Sequence, residues 1–362
     1  MWKSMDTKPA LPSEPPQEPI GDGDLVEYSR LLIARGSKSF AGAAKLFDSS
    51  TRANVYLLYA WCRYCDDVID GQELGFGGRN TPATSNERRA RLHALELETS
   101  RCLEGRSREP VFRGLARVIT DNGIDPRFPK DLLAGFKMDV EGRQYATLHD
   151  LLEYCYCVAG TVGIMMATIM GVRTLSHLRC ACDLGIAFQL TNIARDIIDD
   201  HNAGRVYLPS TWLTEFGLTP ATLAERNARA NLARTANRLL DVADSYYRSA
   251  DHGVSALTVR SAWAVATARS VYSAIGDEIR VAGASAWDRR VSVSSVRKLQ
   301  GVGEGLVAGL FSVTRRGQDL SRSREGLWTP PALAGSATPA EVIATVPSWR
   351  QAHVSVPPSG LS

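Results

Sequence analysis

The chain of 362 residues is 44% hydrophobic and 22% charged, with a net charge of +3. This is the composition of an ordinary globular protein with enough apolar residues for a large core. It carries no array of basic and aromatic residues of the kind that binds nucleic acid, so no nucleic-acid partner is expected. No signal peptide is expected either, because residues 1–24 are rich in proline and acidic residues and lack an apolar core.

Helical periodicity runs through most of the chain, and no stretch has the alternating pattern of a strand. We predict a disordered leader over residues 1–23, one all-α domain over residues 24–316, and a disordered tail rich in Pro, Ser and Gly over residues 317–362. The domain is expected to be a single large helical bundle around a central apolar cavity. Predicted helices span roughly residues 24–35, 50–70, 86–104, 110–122, 129–143, 148–171, 175–200, 220–250, 254–283 and 292–315.

The second predicted helix carries an acidic cluster, DDVID, at residues 66–70. Residues four apart lie on one face of a helix, so Asp66 and Asp70 form a stripe together with Tyr59 and Arg63. Neighbouring carboxylates on a largely buried helix repel each other and lose hydration, so a positive charge is expected to neutralise them. All-oxygen ligands suit hard cations such as Mg²⁺.

A second acidic cluster, NIARDIIDD, covers residues 192–200. Asn192, Asp196 and Asp200 form one stripe, with Gln189 on the same face and Arg195 beside it. A single Asp-rich helix end is often only a solvated face, but two clusters with nearby arginines indicate a clamp that binds a diphosphate through bridging Mg²⁺. Two polar loops offer further donors: GSKSF at residues 36–40 and RVYLP at residues 205–209.

Residues 154–172 form an apolar stretch without charge, long enough to be a transmembrane candidate. It is rich in small residues and lacks basic flanks that would orient it in a membrane. A helix that is apolar all round is also expected at the centre of a large bundle. We therefore predict a central helix that lines the apolar cavity.

The seven cysteines include a Cys-x-x-Cys at residues 62–65 and two Cys-x-Cys pairs. A zinc site would need a second correctly spaced pair, and a thioredoxin-like site would need a preceding strand. The cysteines instead lie in apolar helical stretches, so we interpret them as small buried hydrophobic residues in a reducing, cytoplasmic protein.

With these motifs in place, the chain resembles the squalene and phytoene synthases, most closely the bacterial phytoene synthases. The resemblance covers residues 28–310 and depends on GSKSF (36–40), LYAWCRYCDDVID (58–70), YCYCVAGTVG (154–163), LGIAFQLTNIARDIIDD (184–200) and GRVYLP (204–209). It implies an isoprenoid synthase fold and a Mg²⁺-dependent prenyltransferase. The implied reaction joins two geranylgeranyl diphosphates head to head through prephytoene diphosphate, giving 15-cis-phytoene and diphosphate in the first committed step of carotenoid biosynthesis.

The resemblance also assigns roles to individual residues. The metal ligands implied are Asp66, Asp70, Asn192, Asp196 and Asp200, and the catalytic group comprises the four of these that are aspartates together with Arg63, Arg195 and Tyr59. Substrate contacts are implied for Ser37, Lys38, Ser39, Phe40, Tyr59, Arg63, Tyr154, Gln189, Arg195, Arg205 and Tyr272, with Phe40 and Phe188 shielding cations.

Mg²⁺ is the expected cofactor, with Mn²⁺ as a substitute, and no nicotinamide is expected. The alternatives are a dehydrosqualene or squalene synthase that uses farnesyl diphosphate, a chain-elongating prenyltransferase or terpene cyclase, and a non-catalytic relative that acts as a scaffold. Because substrate and product are apolar, we also expect peripheral contact with the inner face of the cell membrane, with four arginines at 315, 316, 322 and 324 as candidates, and association with neighbouring carotenoid enzymes.

Overall fold

The computed structural model of the protein describes residues 22–36, 44–71, 84–312 and 324–334. Every regular element in these ranges is helical, and no strand occurs among them. The predicted all-α class is therefore confirmed. The α-helices, numbered in chain order, are α1 (Asp22–Gly36), α2 (Ser49–Asp70), α3 (Ser85–Leu103), α4 (Pro110–Asn122), α5 (Arg127–Glu141), α6 (Leu148–Cys155), α7 (Thr161–Ile169), α8 (Leu175–Asn202), α9 (Ser210–Glu215), α10 (Arg229–Gly253), α11 (Val259–Ala282) and α12 (Ser295–Ser312).

Local sequence signals set the ends of the helix that carries the first acidic cluster. At its start, the side chain of Asp48 accepts a hydrogen bond from the Thr51 backbone N–H. At its end, Gly71 adopts a left-handed conformation with φ of 68°. Glycine takes this conformation without the steric cost of a Cβ atom. Helix α2 therefore ends directly after Asp70, at the edge of the site.

The structure differs from the predicted helices most between residues 203 and 258. A short helix, α9, follows Pro209 and was not predicted, because six residues are too few to show a periodic pattern. The predicted helix 220–250 begins only at Arg229, after two 3₁₀ turns over Pro220–Thr222 and Arg226–Ala228. Pro220 is the first residue of a 3₁₀ turn, and the side chain of Thr219 caps this turn by accepting a hydrogen bond from the Thr222 backbone N–H. The turn ends at Thr222, after three residues.

The apolar stretch 148–169 lies in the core and passes through a π-helical turn, Tyr156–Gly160, that joins α6 to α7. It is the one helix of the described residues long and apolar enough to cross a membrane, and 67% of its most apolar window is buried inside the protein. It packs against α5 and α8. This arrangement agrees with a central helix in the bundle.

Helices α7 and α8 contact each other backbone to backbone. A Cβ atom on Gly163 would lie 2.3 Å from the Ala181 carbonyl oxygen, and one on Gly185 would lie 2.3 Å from the Ala159 carbonyl oxygen. Neither position can hold a larger residue without separation of the two helices. This crossing fixes α8, the helix that carries the second acidic cluster, against the central helix.

Residues 324–334, here called the C-terminal strap, fall within the predicted disordered tail but pack on the bundle. The side chain of Arg324 donates to both carboxylate oxygens of Asp183 on α8, at 2.6 and 2.8 Å. Leu333 is buried, and its carbonyl oxygen accepts hydrogen bonds from Arg179. The expectation of disorder does not hold for these residues, because a buried ion pair and a buried leucine anchor a segment whose composition is otherwise that of a loop.

All seven cysteines are free, and six of them are buried, with Cys62 partly exposed. Burial raises the pKa of the thiols of Cys62 and Cys102 to about 12. Thiols with raised pKa values are poor nucleophiles and poor metal ligands. The interpretation of the cysteines as small core residues is confirmed.

Candidate active site

The first acidic cluster is held in place by Arg63, one turn earlier on α2. The Arg63 guanidinium lies 2.7 Å from the Asp67 carboxylate and 3.3 Å from that of Asp66. Asp67 itself is buried. The sequence spacing placed Arg63 on the stripe with Asp66 and Asp70, but it gave no role to Asp67. In the structure, the ion pair with Asp67 holds the Arg63 guanidinium against the helix. Tyr59 is half-buried and lies within electrostatic range of Arg63.

The second acidic cluster lies in the last three turns of α8. Arg195 donates two hydrogen bonds to the neighbouring Asp196, at 2.8 and 2.5 Å. Arg290, from the segment between α11 and α12, also reaches Asp196, at 3.2 Å. Arg290 was not predicted, since one of two adjacent arginines in a loop gives no sequence signal. Asn192 and Gln189 are half-buried on the same helix face.

Arg205 connects the two acidic clusters. It follows α8 directly, and its guanidinium lies 2.8 Å from the Asp70 carboxylate on α2. Burial raises the pKa values of Asp66 and Asp200, and the positive charge of Arg205 partly offsets that rise. Burial disfavours the charge on Arg205, but Asp70, Tyr207 and Asp139 outweigh this effect and raise the pKa of its guanidinium. One cation is therefore shared by carboxylates from both clusters, which places the predicted stripes on opposite sides of one site.

A third carboxylate, Asp139 on α5, also belongs to this site and was missed. It accepts hydrogen bonds from the hydroxyls of Tyr207, at 2.8 Å, and Tyr154, at 3.0 Å. The two tyrosine rings stack, with centroids 4.8 Å apart. Asp139 interacts electrostatically with Asp70 and Asp200, so it lies between the two clusters. A single aspartate in an amphipathic helix carries no spacing signal, and its contacts come from distant parts of the chain.

The structure places Tyr154, predicted as a substrate contact, in this buried network. Its hydroxyl donates to Asp139 and its ring is enclosed by Tyr145 and Tyr207. Tyr154 therefore helps to position Asp139 beside Arg205. The hydrogen bond to Asp139 gives Tyr154 a structural role, whether or not it also contacts the substrate.

The carboxylates of the site carry negative charge that the arginines do not fully neutralise. Burial and the neighbouring Asp70 raise the pKa of Asp66 to about 6. Burial and the neighbouring Asp196 raise the pKa of Asp200 to about 7. Burial also raises the pKa of Asp139. Raised carboxyl pKa values in a cluster indicate a place where a further cation would be stabilised.

Aromatic rings lie at the part of α8 that precedes the second acidic cluster. Phe188 stacks on Tyr272 of α11, with ring centroids 4.3 Å apart, and also contacts Tyr247. Tyr272 is within electrostatic range of Arg195. The predicted residues Phe188, Gln189, Arg195 and Tyr272 are thus neighbours in the structure. Ser37, Lys38, Ser39 and Phe40 lie outside the described residues.

Oxygen donors dominate the site. Within the described ranges, no three His, Cys, Asp or Glu side chains are grouped closely enough to hold a metal ion by themselves. A cleft of about 630 Å³ lies elsewhere, beside Arg269 and Val307.

The helical bundle and the two facing acidic clusters define an isoprenoid synthase of the type that acts on prenyl diphosphates. The profile of the squalene/phytoene synthase family matches residues 33–297. The chain belongs to this family.

Similar proteins include bacterial phytoene synthases. The chain is 53% identical to a 15-cis-phytoene synthase of Enterobacter agglomerans over 264 residues, which cover 73% of this chain and 89% of the relative. It is 46% identical to a 15-cis-phytoene synthase of a Paracoccus species, covering 85% of this chain and 98% of the relative. Among solved structures, a dehydrosqualene synthase in complex with a ligand is 31% identical, with a TM-score of 0.69 over 78% of this chain and 95% of that chain.

Proposed function

We propose that the protein is a prenyltransferase that joins two geranylgeranyl diphosphates head to head. The first step releases one diphosphate and one proton and gives prephytoene diphosphate. Ionisation of this intermediate releases the second diphosphate, and rearrangement and loss of a proton then give phytoene, at the first committed step of carotenoid biosynthesis. The identity of 46–53% to bacterial phytoene synthases over most of the chain supports this substrate. The observation that carries the proposal is the pair of acidic helices, α2 and α8, joined across one site by Arg205.

We propose that Mg²⁺, or Mn²⁺ in its place, binds to Asp66 and Asp70 on one side and to Asn192, Asp196 and Asp200 on the other. The all-oxygen donor set and the raised carboxyl pKa values support this assignment. When bound, the metal ions neutralise phosphate charge and act as Lewis acids toward the diphosphate leaving group. Asp139 adds a further negative group between the two sets.

The arginines of the site would bind and orient the diphosphates. Arg63, Arg195, Arg205 and Arg290 each hold a carboxylate in the structure, so their guanidinium groups are already directed into the site. Planar guanidinium groups make paired hydrogen bonds to phosphate oxygens, and these bonds strengthen as negative charge develops on a departing diphosphate. No catalytic histidine is needed for such a reaction.

The aromatic and apolar walls would protect the carbocations. The stacked rings of Phe188 and Tyr272, next to Arg195, can stabilise positive charge through their ring faces. The buried helix 148–169 presents small apolar side chains, which exclude the water that would otherwise react with a cation. Tyr59, within electrostatic range of Arg63, would contact the substrate next to its diphosphate.

A second candidate function is the same reaction with farnesyl diphosphate. The similarity to a dehydrosqualene synthase structure at 31% identity favours this candidate. Product analysis separates the two: purified protein is incubated with Mg²⁺ and geranylgeranyl diphosphate, without a nicotinamide, beside a matched farnesyl diphosphate reaction. We expect the C40 product phytoene from the first. Product from farnesyl diphosphate alone would move the enzyme to the C30 branch, and no product from folded protein with either substrate would contradict a synthase.

We further propose that the protein works in the cytoplasm, in peripheral contact with the cell membrane and near other carotenoid enzymes. The support is chemical, since the substrate has a long apolar chain and phytoene is a hydrocarbon that does not dissolve in water. Fractionation of cells in which the protein is expressed, with and without a high-salt wash, tests the membrane contact. Cross-linking in the same cells tests the contact with other enzymes.

A further inference from the structure

The segment between α11 and α12, residues 283–294 and here called the α11–α12 loop, brings Arg290 to the second acidic cluster. The Arg290 guanidinium donates to Asp196 at 3.2 Å, but its side chain is 65% exposed. An exposed ion pair contributes little free energy, because solvent screens the charges and a long side chain loses rotational freedom. The pair with Asp196 is therefore too weak to hold the loop, and another contact must set the position of Arg290.

Trp287, three residues before Arg290, attaches the α11–α12 loop to α8. Its indole N–H donates to the backbone carbonyl oxygen of Ala194, at 3.1 Å. Ala194 precedes Asp196 by two residues, so this hydrogen bond lies in the same helical turn as the carboxylate that Arg290 contacts. Three residues of chain span at most about 11 Å, so the bond limits how far Arg290 can move from Asp196.

Further contacts hold the Trp287 ring and the chain on either side of it. The guanidinium of Arg229, at the start of α10, lies over the ring, 5.8 Å from its centroid. The Nε and Nη1 atoms of Arg229 are buried and have no hydrogen-bond partner within the described part of the chain, so the ring face compensates for part of their lost hydration. Ala286 and Val293, which flank Trp287 and Arg290, are both buried. These contacts fix the loop on the bundle.

We propose that Trp287 is a positioning residue for the diphosphate site and that it acts through Arg290. This proposal rests on the proposed function, in which the Arg290 guanidinium binds a diphosphate beside Asp196. A guanidinium makes paired hydrogen bonds to phosphate oxygens only within a narrow range of positions, and a displacement of about 1 Å weakens them. Because Trp287 ties the loop to the helix that carries Asp196, it keeps the guanidinium and the carboxylate in one arrangement.

Trp287→Phe tests the proposal, because phenylalanine keeps an aromatic ring beneath Arg229 but lacks the indole N–H. We expect kcat/KM with geranylgeranyl diphosphate to fall about threefold, which is the effect expected for loss of Arg290 itself. Calorimetric titration with inorganic diphosphate in the presence of Mg²⁺ measures the same contact without catalysis. The dissociation constant of diphosphate is expected to rise by a similar factor in the variant.

Trp263→Phe is the matched control. The indole N–H of Trp263 also donates to a backbone carbonyl oxygen, that of Val302, at 2.9 Å, but this hydrogen bond joins α11 to α12 and does not involve the acidic clusters. Each variant loses one hydrogen bond, so each is expected to lower the melting temperature by about 2 °C. Trp263→Phe is expected to leave kcat/KM and diphosphate binding at their wild-type values, whereas Trp287→Phe weakens both.

A double-mutant cycle separates positioning from a general structural effect. Because Trp287 acts through Arg290, Trp287→Phe is expected to lower kcat/KM by less than about 1.5-fold in protein that already carries Arg290→Gln. Equal losses in the two backgrounds would overturn the proposal. An unchanged diphosphate dissociation constant in Trp287→Phe, or equal weakening by Trp263→Phe, would overturn it as well.

Failure of this proposal and failure of the proposed function give different results. If the wild-type protein forms product and Trp287→Phe binds diphosphate equally well, the role of Trp287 is overturned and the synthase assignment stands. If folded wild-type protein neither binds diphosphate with Mg²⁺ nor forms product, the synthase assignment is contradicted, and the role of Trp287 falls with it.

Discussion

The two ends of helix α8 carry aspartates in opposite environments. Near its start, Asp183 has a side chain that is 0% exposed and is bound by Arg324, which is itself only 10% exposed. Near its end, Asp196 is paired with Arg195 and with Arg290, whose side chain is 65% exposed. Asp183 and Asp196 are 13 residues apart, or about 20 Å along the helix. A closed ion pair that no ligand can enter stabilises the fold, whereas an open one can exchange partners with a charged substrate.

Hydrogen bonding separates the two ends further. Asp183 receives two hydrogen bonds from Arg324 and one from Ser249, so each carboxylate oxygen has a partner inside the protein. Asp200, at the other end, is buried beside Asp196, and burial and this neighbouring carboxylate raise its pKa to about 7. An aspartate on this helix has a structural role where hydrogen bonds inside the protein satisfy its carboxylate. It is able to bind a ligand where its partners are open to solvent.

Substitution of Asp196 tests the open end most strongly. We expect Asp196→Asn to reduce phytoene formation at least about 100-fold, because it removes one of the charges proposed to hold the metal and the diphosphate. The melting temperature is expected to stay within about 2 °C of wild type, since loss of one of several repelling carboxylates does not unfold the bundle. Chromatographic product analysis and thermal unfolding by circular dichroism measure the two effects. Asp199→Asn, at an exposed neighbouring position, should retain most activity; equal activity in both variants would contradict the site.

Substitution of Arg324 tests the closed end. Arg324→Met leaves a buried carboxylate without its cation, and we expect the free energy of unfolding to fall by about 3–5 kcal/mol. Turnover per folded molecule is expected to change by less than about twofold, because the pair is about 20 Å from the reacting groups. Urea unfolding and an assay well below the melting temperature measure these quantities. As a control, Arg30→Met breaks an exposed pair with Glu27 and should leave the free energy of unfolding almost unchanged. A similar loss in both variants would show that burial of the pair does not matter.

The ionisation of Asp200 should make the stability of the fold depend on pH. In metal-free protein with a chelator, the Asp200 carboxyl has a pKa of about 7 when folded, well above its unfolded value. The folded state therefore binds more protons than the unfolded state between about pH 4 and pH 7, and this contribution to stability is lost as the pH rises through that range.

Asp200→Asn removes the ionisable carboxyl and therefore the loss of stability that its ionisation causes. At pH 8 the variant is expected to melt about 2 °C higher than wild type, and the difference should disappear near pH 4. Thermal unfolding at both pH values measures it, with the exposed Asp199→Asn as the matched control. A lower melting temperature of Asp200→Asn at pH 8 would show that Asp200 is already neutralised by the protein.

Arg290 gives the smallest expected effect. Its exposed pair with Asp196 should contribute little to stability, so Arg290→Gln is expected to shift the melting temperature by less than about 1 °C. Loss of one charged contact to diphosphate should lower kcat/KM by about threefold. Steady-state kinetics with geranylgeranyl diphosphate measure this, and an unchanged kcat/KM would place Arg290 outside the substrate site.

The sequence predicted the parts of the site that repeat within one helix. The spacing of Asp66 and Asp70 on α2, and of Asn192, Asp196 and Asp200 on α8, is a local property that helical geometry converts directly into a shared face. Arg205 was found because it follows the second cluster closely. The boundaries of α2 and α4 also agree, since a glycine ends each helix.

The residues that were missed are defined by contacts between distant segments. Asp139 becomes part of the site only because Tyr154 and Tyr207 converge on it from two other elements. The Asp183–Arg324 pair joins residues 141 positions apart, and nothing in the composition of the strap indicates it. Such contacts depend on tertiary packing, which single residues without a spacing pattern cannot reveal.

The crossing of α7 and α8 limits the mutational tolerance of the enzyme. Gly163 and Gly185 allow the two backbones to touch, and even a methyl group at either position would force the helices apart. Helix α8 continues from Gly185 to Asp196 over 11 residues, about 16 Å, so a tilt at the crossing would displace the acidic cluster. Positions without a side chain, remote from the diphosphate, are therefore among those where the chain can least accept change.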